Sequence, residues 1–153
     1  MFGGIIKYSG TIHSIHGNEN DGIVLELKTT IADQVQIGDS VGVNGVCLTV
    51  TELVSDSILK FDIWPESLQR TTLNKLKISQ NVHVDLPLKA SDFIGGHPVL
   101  GHVDYTGSIL SVTQVDEANQ LKLWISLPAQ FSSLIPARGS IAVDGVSLTI
   151  TGL

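Results

Sequence analysis

Residues 40–51, SVGVNGVCLTVT, return at residues 140–151 as SIAVDGVSLTIT. Seven of the twelve positions are identical, where chance would give about one. A second pair, MFGGIIKYSGTI (1–12) and PVLGHVDYTGSI (98–109), sets Gly4 on Gly101, Tyr8 on Tyr105, Gly10 on Gly107 and Ile12 on Ile109. The offsets are 100 and 97, so the copies differ by a small net insertion. Self-similarity of this kind predicts two related units in tandem, residues 1–97 and 98–153. The second is shorter. No residue of the second copy matches Ile58–Ile63, Pro65–Thr72 or Val82–Leu86. A barrel lacking two strands has open edges and half a core. A fragment, a chain only partly given, or a partner that completes the fold each explains this, and the sequence does not choose between them.

Short alternating runs dominate: IVLEL (23–27), VGVNGVCLTV (41–50), ILKFDI (58–63), VHVDL (82–86) and LKLWISL (121–127). Alternation of this period predicts strands with one buried face. Asn44-Gly45 and Asp144-Gly145 stand at matching points between such runs. Both dipeptides tolerate positive φ at two successive residues and predict tight hairpins. Short helices are expected from Pro65-Glu66 and from Pro128, where proline suits a first helical position. The expected class is all-β: two similar small β-barrels in tandem with helical plugs, the second incomplete.

Composition narrows the partners. Hydrophobic residues make up 42% and charged residues 16% of the chain, which supports a buried core rather than disorder. The net charge is −6 and the nine Lys and Arg form no cluster, which argues against nucleic acid. The apolar runs are too short to span a bilayer, and the start lacks the basic head and long apolar middle of a signal peptide. The single cysteine, Cys47, excludes an internal disulfide. A soluble cytoplasmic protein is expected.

Duplicated units that bind one molecule twice need not use it alike, so matched positions of changed chemistry are candidate sites. His102 aligns with Ile5, and Cys47 with Ser147. His102 is either an acid–base or orienting group or a half-buried strand histidine. Cys47 is either a nucleophile or a small buried apolar residue. Ser147 either positions or activates a nucleophile or simply bonds backbone. His97 follows Gly95-Gly96 and has no repeat partner, which favours a supporting role. His97 and His102, five apart with no acid cluster beside them, do not make a metal site. Thr49 and Thr149, identical in both copies, suit a shared ring contact or strand propensity alone. Gly4-Ile5-Ile6 and Gly101-His102-Val103 are expected as matched first strands, with glycine admitting a flat ligand.

Five motifs in order, MFGGII, VNGVCLTV, FDIWPESLQRTTL, IGGHPVLGHVD and VDGVSLTIT, make the whole chain resemble riboflavin synthase of the α type, with two lumazine-binding repeats. The chain departs from the family pattern at Gly3, Ser67, Pro98 and Leu100 without losing a reactive group. The resemblance implies two six-stranded Greek-key barrels, a homotrimer with sites between subunits, and no metal or organic cofactor. It implies dismutation of two 6,7-dimethyl-8-ribityllumazine molecules to riboflavin and 5-amino-6-ribitylamino-uracil, the last step of riboflavin biosynthesis. A non-catalytic antenna protein on the same fold is the alternative, and a generic β-barrel interaction module is a third. His102, Cys47 and Ser147 are the catalytic residues it implies. Substrate contacts are implied at Gly4, Ile5, Ile6, Leu48 and Thr49, and along a ribityl wall of Asp62, Ile63, Trp64, Pro65, Glu66 and Ser67. The second copy adds Gly101, Val103, Val146, Leu148, Thr149 and Arg138, the last either bonding a polar edge of the ligand or a plain surface charge, and Phe2 either packs across the site or anchors the core. A second ligand-binding helix, a catalytic acid and a trimer-forming helix are implied beyond Leu153.

Overall fold

A computed structural model describes residues 1–115 and 120–153. Six antiparallel strands form a closed barrel: β1 (Tyr8–Asn18), β2 (Gly22–Thr29), β3 (Ser40–Val43), β4 (Val46–Ser55), β5 (Ile58–Ile63) and β6 (Asn81–Asp85). Their order around the barrel is β1-β2-β5-β4-β3-β6, a Greek-key path that leaves no free edge. The alternation read from the sequence sets the inside. Leu25 and Leu27 of β2, Leu48 and Val50 of β4, and Leu59, Phe61 and Ile63 of β5 all face the core. Each such side chain contributes roughly 1.5–3 kcal/mol by leaving water. Helix α1 (Pro65–Arg70) and a 3₁₀ turn (Thr72–Lys75) close one end with Leu68 and Leu73.

The second copy forms two separate hairpins, β7 (Ile109–Gln114) with β8 (Leu121–Ile125), and β9 (Ser140–Val143) with β10 (Val146–Thr149). A 3₁₀ turn at Ala129–Leu134 lies between them, where a short helix is expected. Ile109, Leu110, Val112, Leu121 and Trp124 are exposed, in contrast to the sealed interior of the first barrel.

The two glycine hairpins repeat each other closely. Gly42 pairs with Cys47 and Ala142 with Ser147. Asn44 and Gly45 have φ of 45° and 77°, and Asp144 and Gly145 have 46° and 84°. These are the left-handed turns that the dipeptides predict. The turns also pack against each other, with Gly45 in backbone contact with Gly145, so no side chain fits at either glycine. His83 of β6 ties the contact. Its backbone N–H donates to Asn44 Oδ1 at 2.8 Å, and its Nδ1 donates to the Asp144 carbonyl at 3.0 Å.

One expectation is overturned. Residues 4–6 and 101–103 are not the first strands of their copies; β1 begins at Tyr8 and β7 at Ile109. The openers cross to the other copy instead. Phe2 and Val99 exchange two backbone hydrogen bonds, at 2.7 and 3.0 Å. Beyond that bridge, Gly4 reaches the β9–β10 hairpin and Gly101 reaches β3–β4. Val103 packs on the first barrel's core, while the Ile6 side chain lies against Gly145. Extended backbone needs partners for its N–H and C=O groups, and here each opener finds them on the opposite hairpin.

Candidate functional site

The crossing creates two half-sites of one design. In the first, the Cys47 N–H donates to the Gly101 carbonyl at 2.9 Å; in the second, the Ser147 N–H donates to the Gly4 carbonyl at 2.8 Å. Gly101 and Gly4 have φ of +81° and +70°. A Cβ on Gly101 would lie 2.6 Å from Cys47 Cβ, and one on Gly4 would lie 2.7 Å from Ser147 Cβ. Glycine is required at both places by the conformation and by the close approach of two chain segments. That approach is to protein, whereas the sequence suggests an approach to ligand.

In the first half-site, alternation along β4 points Leu48 into the core and Cys47 and Thr49 away from it. Val50 pairs with Phe61 of β5, so Thr49 and Asp62 are the next positions along the two strands, both exposed. Ile63 returns to the core. The chain then leaves through Trp64, 73% exposed, into Pro65, Glu66 and Ser67 at the start of α1. Glu66 pairs with Arg70 at 3.1 Å on an exposed helix face, and the Ser67 carbonyl accepts from Thr71 Oγ1 at 2.6 Å. The wall implied by the resemblance therefore presents Asp62, Trp64, Glu66 and half-buried Ser67, while the side chains of Leu48 and Ile63 serve the barrel. His102, next to Gly101, is exposed and has no hydrogen-bond partner among the described residues.

The second half-site has what the first lacks. His97 Nδ1 lies 2.6 Å from Ser147 Oγ, and both residues are half-buried. This is hydrogen-bond reach between a hydroxyl and a base, the arrangement that activates serine or a water held by it. Gly96 makes the approach possible: a Cβ there would sit 2.5 Å from the Gly3 carbonyl and 2.7 Å from Ser147 Cβ. Ile5 is exposed beside Gly4, and Thr149 is exposed at the end of β10. Val146 and Leu148 are half-buried. Arg138 is exposed, with φ of +65°, where the first copy has Gly38. Its N–H donates to the Ile150 carbonyl at 3.0 Å, next to Thr149.

His97, ranked below His102 in sequence reasoning, is thus the histidine that the structure brings to a candidate hydroxyl. Its signal was the Gly95-Gly96 pair before it, which frees the backbone for close packing. Asp85 was missed altogether. It ends β6 beside a hollow also lined by Lys7, Tyr8 and Lys89. Burial pushes its carboxyl above the usual range, against the opposing pull of the Leu86 and Gly4 N–H groups and of Lys7. Among the described residues, no cluster of three His, Cys, Asp or Glu is placed to hold a metal ion, and no helix is long and apolar enough to cross a membrane.

Comparison with known proteins agrees with this geometry. The lumazine binding domain family matches twice, over residues 3–86 and 100–153. The riboflavin synthase of Actinobacillus pleuropneumoniae is 37% identical over 98% of this chain and 68% of its own length. That of Bacillus subtilis is 38% identical over 100% of this chain and 70% of its own length. A crystal structure of LumP complexed with 6,7-dimethyl-8-(1'-D-ribityl) lumazine superposes with a TM-score of 0.82 at 26% identity, covering 97% of this chain and 78% of that one. The repeated hairpins, the barrel and these relatives agree: the chain belongs to the riboflavin synthase family of enzymes, built on the lumazine-binding domain.

Proposed function

We propose that the protein dismutates 6,7-dimethyl-8-ribityllumazine. One molecule donates a four-carbon unit to a second, giving riboflavin and 5-amino-6-ribitylamino-uracil. The observation that carries this reading is the His97–Ser147 contact at 2.6 Å, present in one of two half-sites that otherwise share their backbone. A dismutation needs one molecule held as donor and another as acceptor, and two like frames with unlike side chains supply that difference.

The chemistry sets two requirements. The C7 methyl of one molecule must lose a proton, and C7 of the other must be attacked by water, hydroxyl or thiol. His97 holds Nδ1 2.6 Å from Ser147 Oγ, so the tautomer with that nitrogen unprotonated can activate the hydroxyl or a water beside it. Cys47 offers a small polar group at the matching point, with exposed His102 following Gly101. Thr49 and Thr149 supply a hydroxyl at equivalent places for the ring, and Asp62, Glu66 and Ser67 supply acceptors and a donor for the ribityl chain. The backbone bond from Arg138 to Ile150, next to Thr149, supports a contact of the Arg138 side chain with a polar edge of the ligand. The heterocycle is its own electron sink, so no cofactor enters the scheme. Much of the acceleration comes from holding two rings in register. Each half-site offers one wall, which supports a homotrimer in which the first barrel of one subunit faces the second unit of its neighbour. A soluble, cytoplasmic biosynthetic enzyme is the setting.

A second reading rests on the LumP likeness: lumazine binding without turnover. Incubation with 6,7-dimethyl-8-ribityllumazine separates the two. Riboflavin appearing with one 5-amino-6-ribitylamino-uracil per molecule supports the synthase. Saturable binding with an unchanged lumazine spectrum supports the binding protein, and no binding contradicts both.

A further inference from the structure

Strand β6 alternates, with Val82 and Val84 turned into the barrel and His83 turned out of it. The His83 backbone is fixed on the first copy's turn. Its N–H donates to Asn44 Oδ1 at 2.8 Å, and its carbonyl accepts the Asn44 N–H at 3.0 Å. The ring then crosses to the second copy, with Nδ1 3.0 Å from the Asp144 carbonyl. A carbonyl only accepts, so Nδ1 carries the hydrogen, and the neutral ring keeps its lone pair on Nε2. Asn44 and Asp144 stand at matching places in the repeat. His83 bonds both, one through its side chain and the other through its main chain. Among the described residues, His83 is the side chain of the six barrel strands that bonds the β9–β10 hairpin.

Packing gives this hairpin little grip of its own. Gly45 meets Gly145 with no side chain on either, so nothing interlocks where the turns touch. A hydrogen bond is directional and supplies the missing register. Ser147 stands three residues beyond Asp144, and its place is exacting: its N–H reaches the Gly4 carbonyl at 2.8 Å and its Oγ reaches His97 at 2.6 Å. We propose that His83 is a positioning residue for the second half-site, its Nδ1–H holding the β9–β10 hairpin against the first barrel so that Ser147 stays in register with Gly4 and His97. Asn44 sets the frame, the Asp144 carbonyl is the point held, and Ser147 is the group placed. Cys47 needs no such tie, because its strand is part of the closed barrel.

The proposal rests on the synthase reading for its kinetic arm only. Nitrogen-15 spectra of the histidines in the whole parent protein, at about pH 8.5 where an ordinary histidine is neutral, are expected to show His83 as the Nδ1–H tautomer. The Nε2–H tautomer overturns the proposal without any variant being made. His83→Phe keeps a flat ring and removes the donor, whereas His83→Asn sets an amide N–H where Nδ1 stood. Thermal melting checks that both fold. In His83→Phe the Ser147 amide is expected to exchange about three- to tenfold faster, the effect of losing one ordinary hydrogen bond. Val50, bonded to the Asp39 carbonyl within the first barrel, exchanges as before. kcat falls by a similar factor with KM nearly unchanged, and His83→Asn recovers most of both losses. A His83→Phe protein whose Ser147 amide exchanges as in the parent overturns the proposal, whatever its turnover. A parent that forms no riboflavin overturns the functional reading instead, and the tautomer and the exchange at Ser147 still decide the role of His83.

Discussion

The Cys47 and Ser147 half-sites share a frame and differ in what stands on it. Both place a small polar side chain one residue beyond a left-handed turn, under a glycine lent by the other copy. The hydrogen bonds match to 0.1 Å, 2.9 Å at Cys47 and 2.8 Å at Ser147. Among the described residues, Ser147 has a histidine within bonding distance and Cys47 has none. That histidine comes from the loop after β6, outside the repeated segments. On the proposed reading, the repeat frames two like places for substrate, and an unrepeated loop makes one of them chemically different.

The sharpest way to break the comparison is at Gly96, which touches the second half-site alone. Gly96→Ala drives a Cβ into the Gly3 carbonyl and Ser147, and turnover is expected to fall about 100-fold as His97 is displaced. Steady-state kinetics beside a melting curve check it; a small rate change shows that the His97 contact is not limiting. The shared frame is tested by Gly4→Ala and Gly101→Ala, which meet equivalent clashes at 2.7 and 2.6 Å. Both are expected to destabilise by about 2–3 kcal/mol in denaturant titrations, from a forced left-handed alanine plus steric overlap. Unequal losses would show the two crossings to be unlike. Cys47→Ser makes the first half-site resemble the second. It is expected to leave stability within about 1 kcal/mol and to lower turnover less than tenfold, because no histidine partners Cys47. The smallest effect belongs to Arg138→Gly, which puts the glycine of the first copy into a turn held at φ +65°. Relief of that strain is expected to raise stability by about 1 kcal/mol, and a larger loss of lumazine affinity would give Arg138 a binding role.

The strands and turns were legible because their causes are local. β5 spans Ile58–Ile63, as its alternation predicts, and Asn44-Gly45 and Asp144-Gly145 make the expected turns. The crossing was not legible. Gly4-Ile5-Ile6 reads as a strand start under any local rule, and only contact with residues far along the chain, Val99 and Ser147 among them, directs it elsewhere. The same glycine that suits a ligand suits a neighbouring backbone, and sequence does not separate the two. The repeat drew attention to His102 because it replaces Ile5, and away from His97 because nothing aligns with it. Asp85 reads as one more alternating strand residue, since its desolvation arises only once β6 is paired in the closed barrel.

The central claim is that the two half-sites are unlike in chemistry because of His97. Riboflavin formation by His97→Ala and His102→Ala, each at saturating 6,7-dimethyl-8-ribityllumazine, tests it directly. The account predicts that His97→Ala still binds lumazine but forms riboflavin about 10²–10³-fold more slowly, the range for losing a positioned acid–base group, while His102→Ala loses less. A His97→Ala protein that turns over at the parent rate contradicts it.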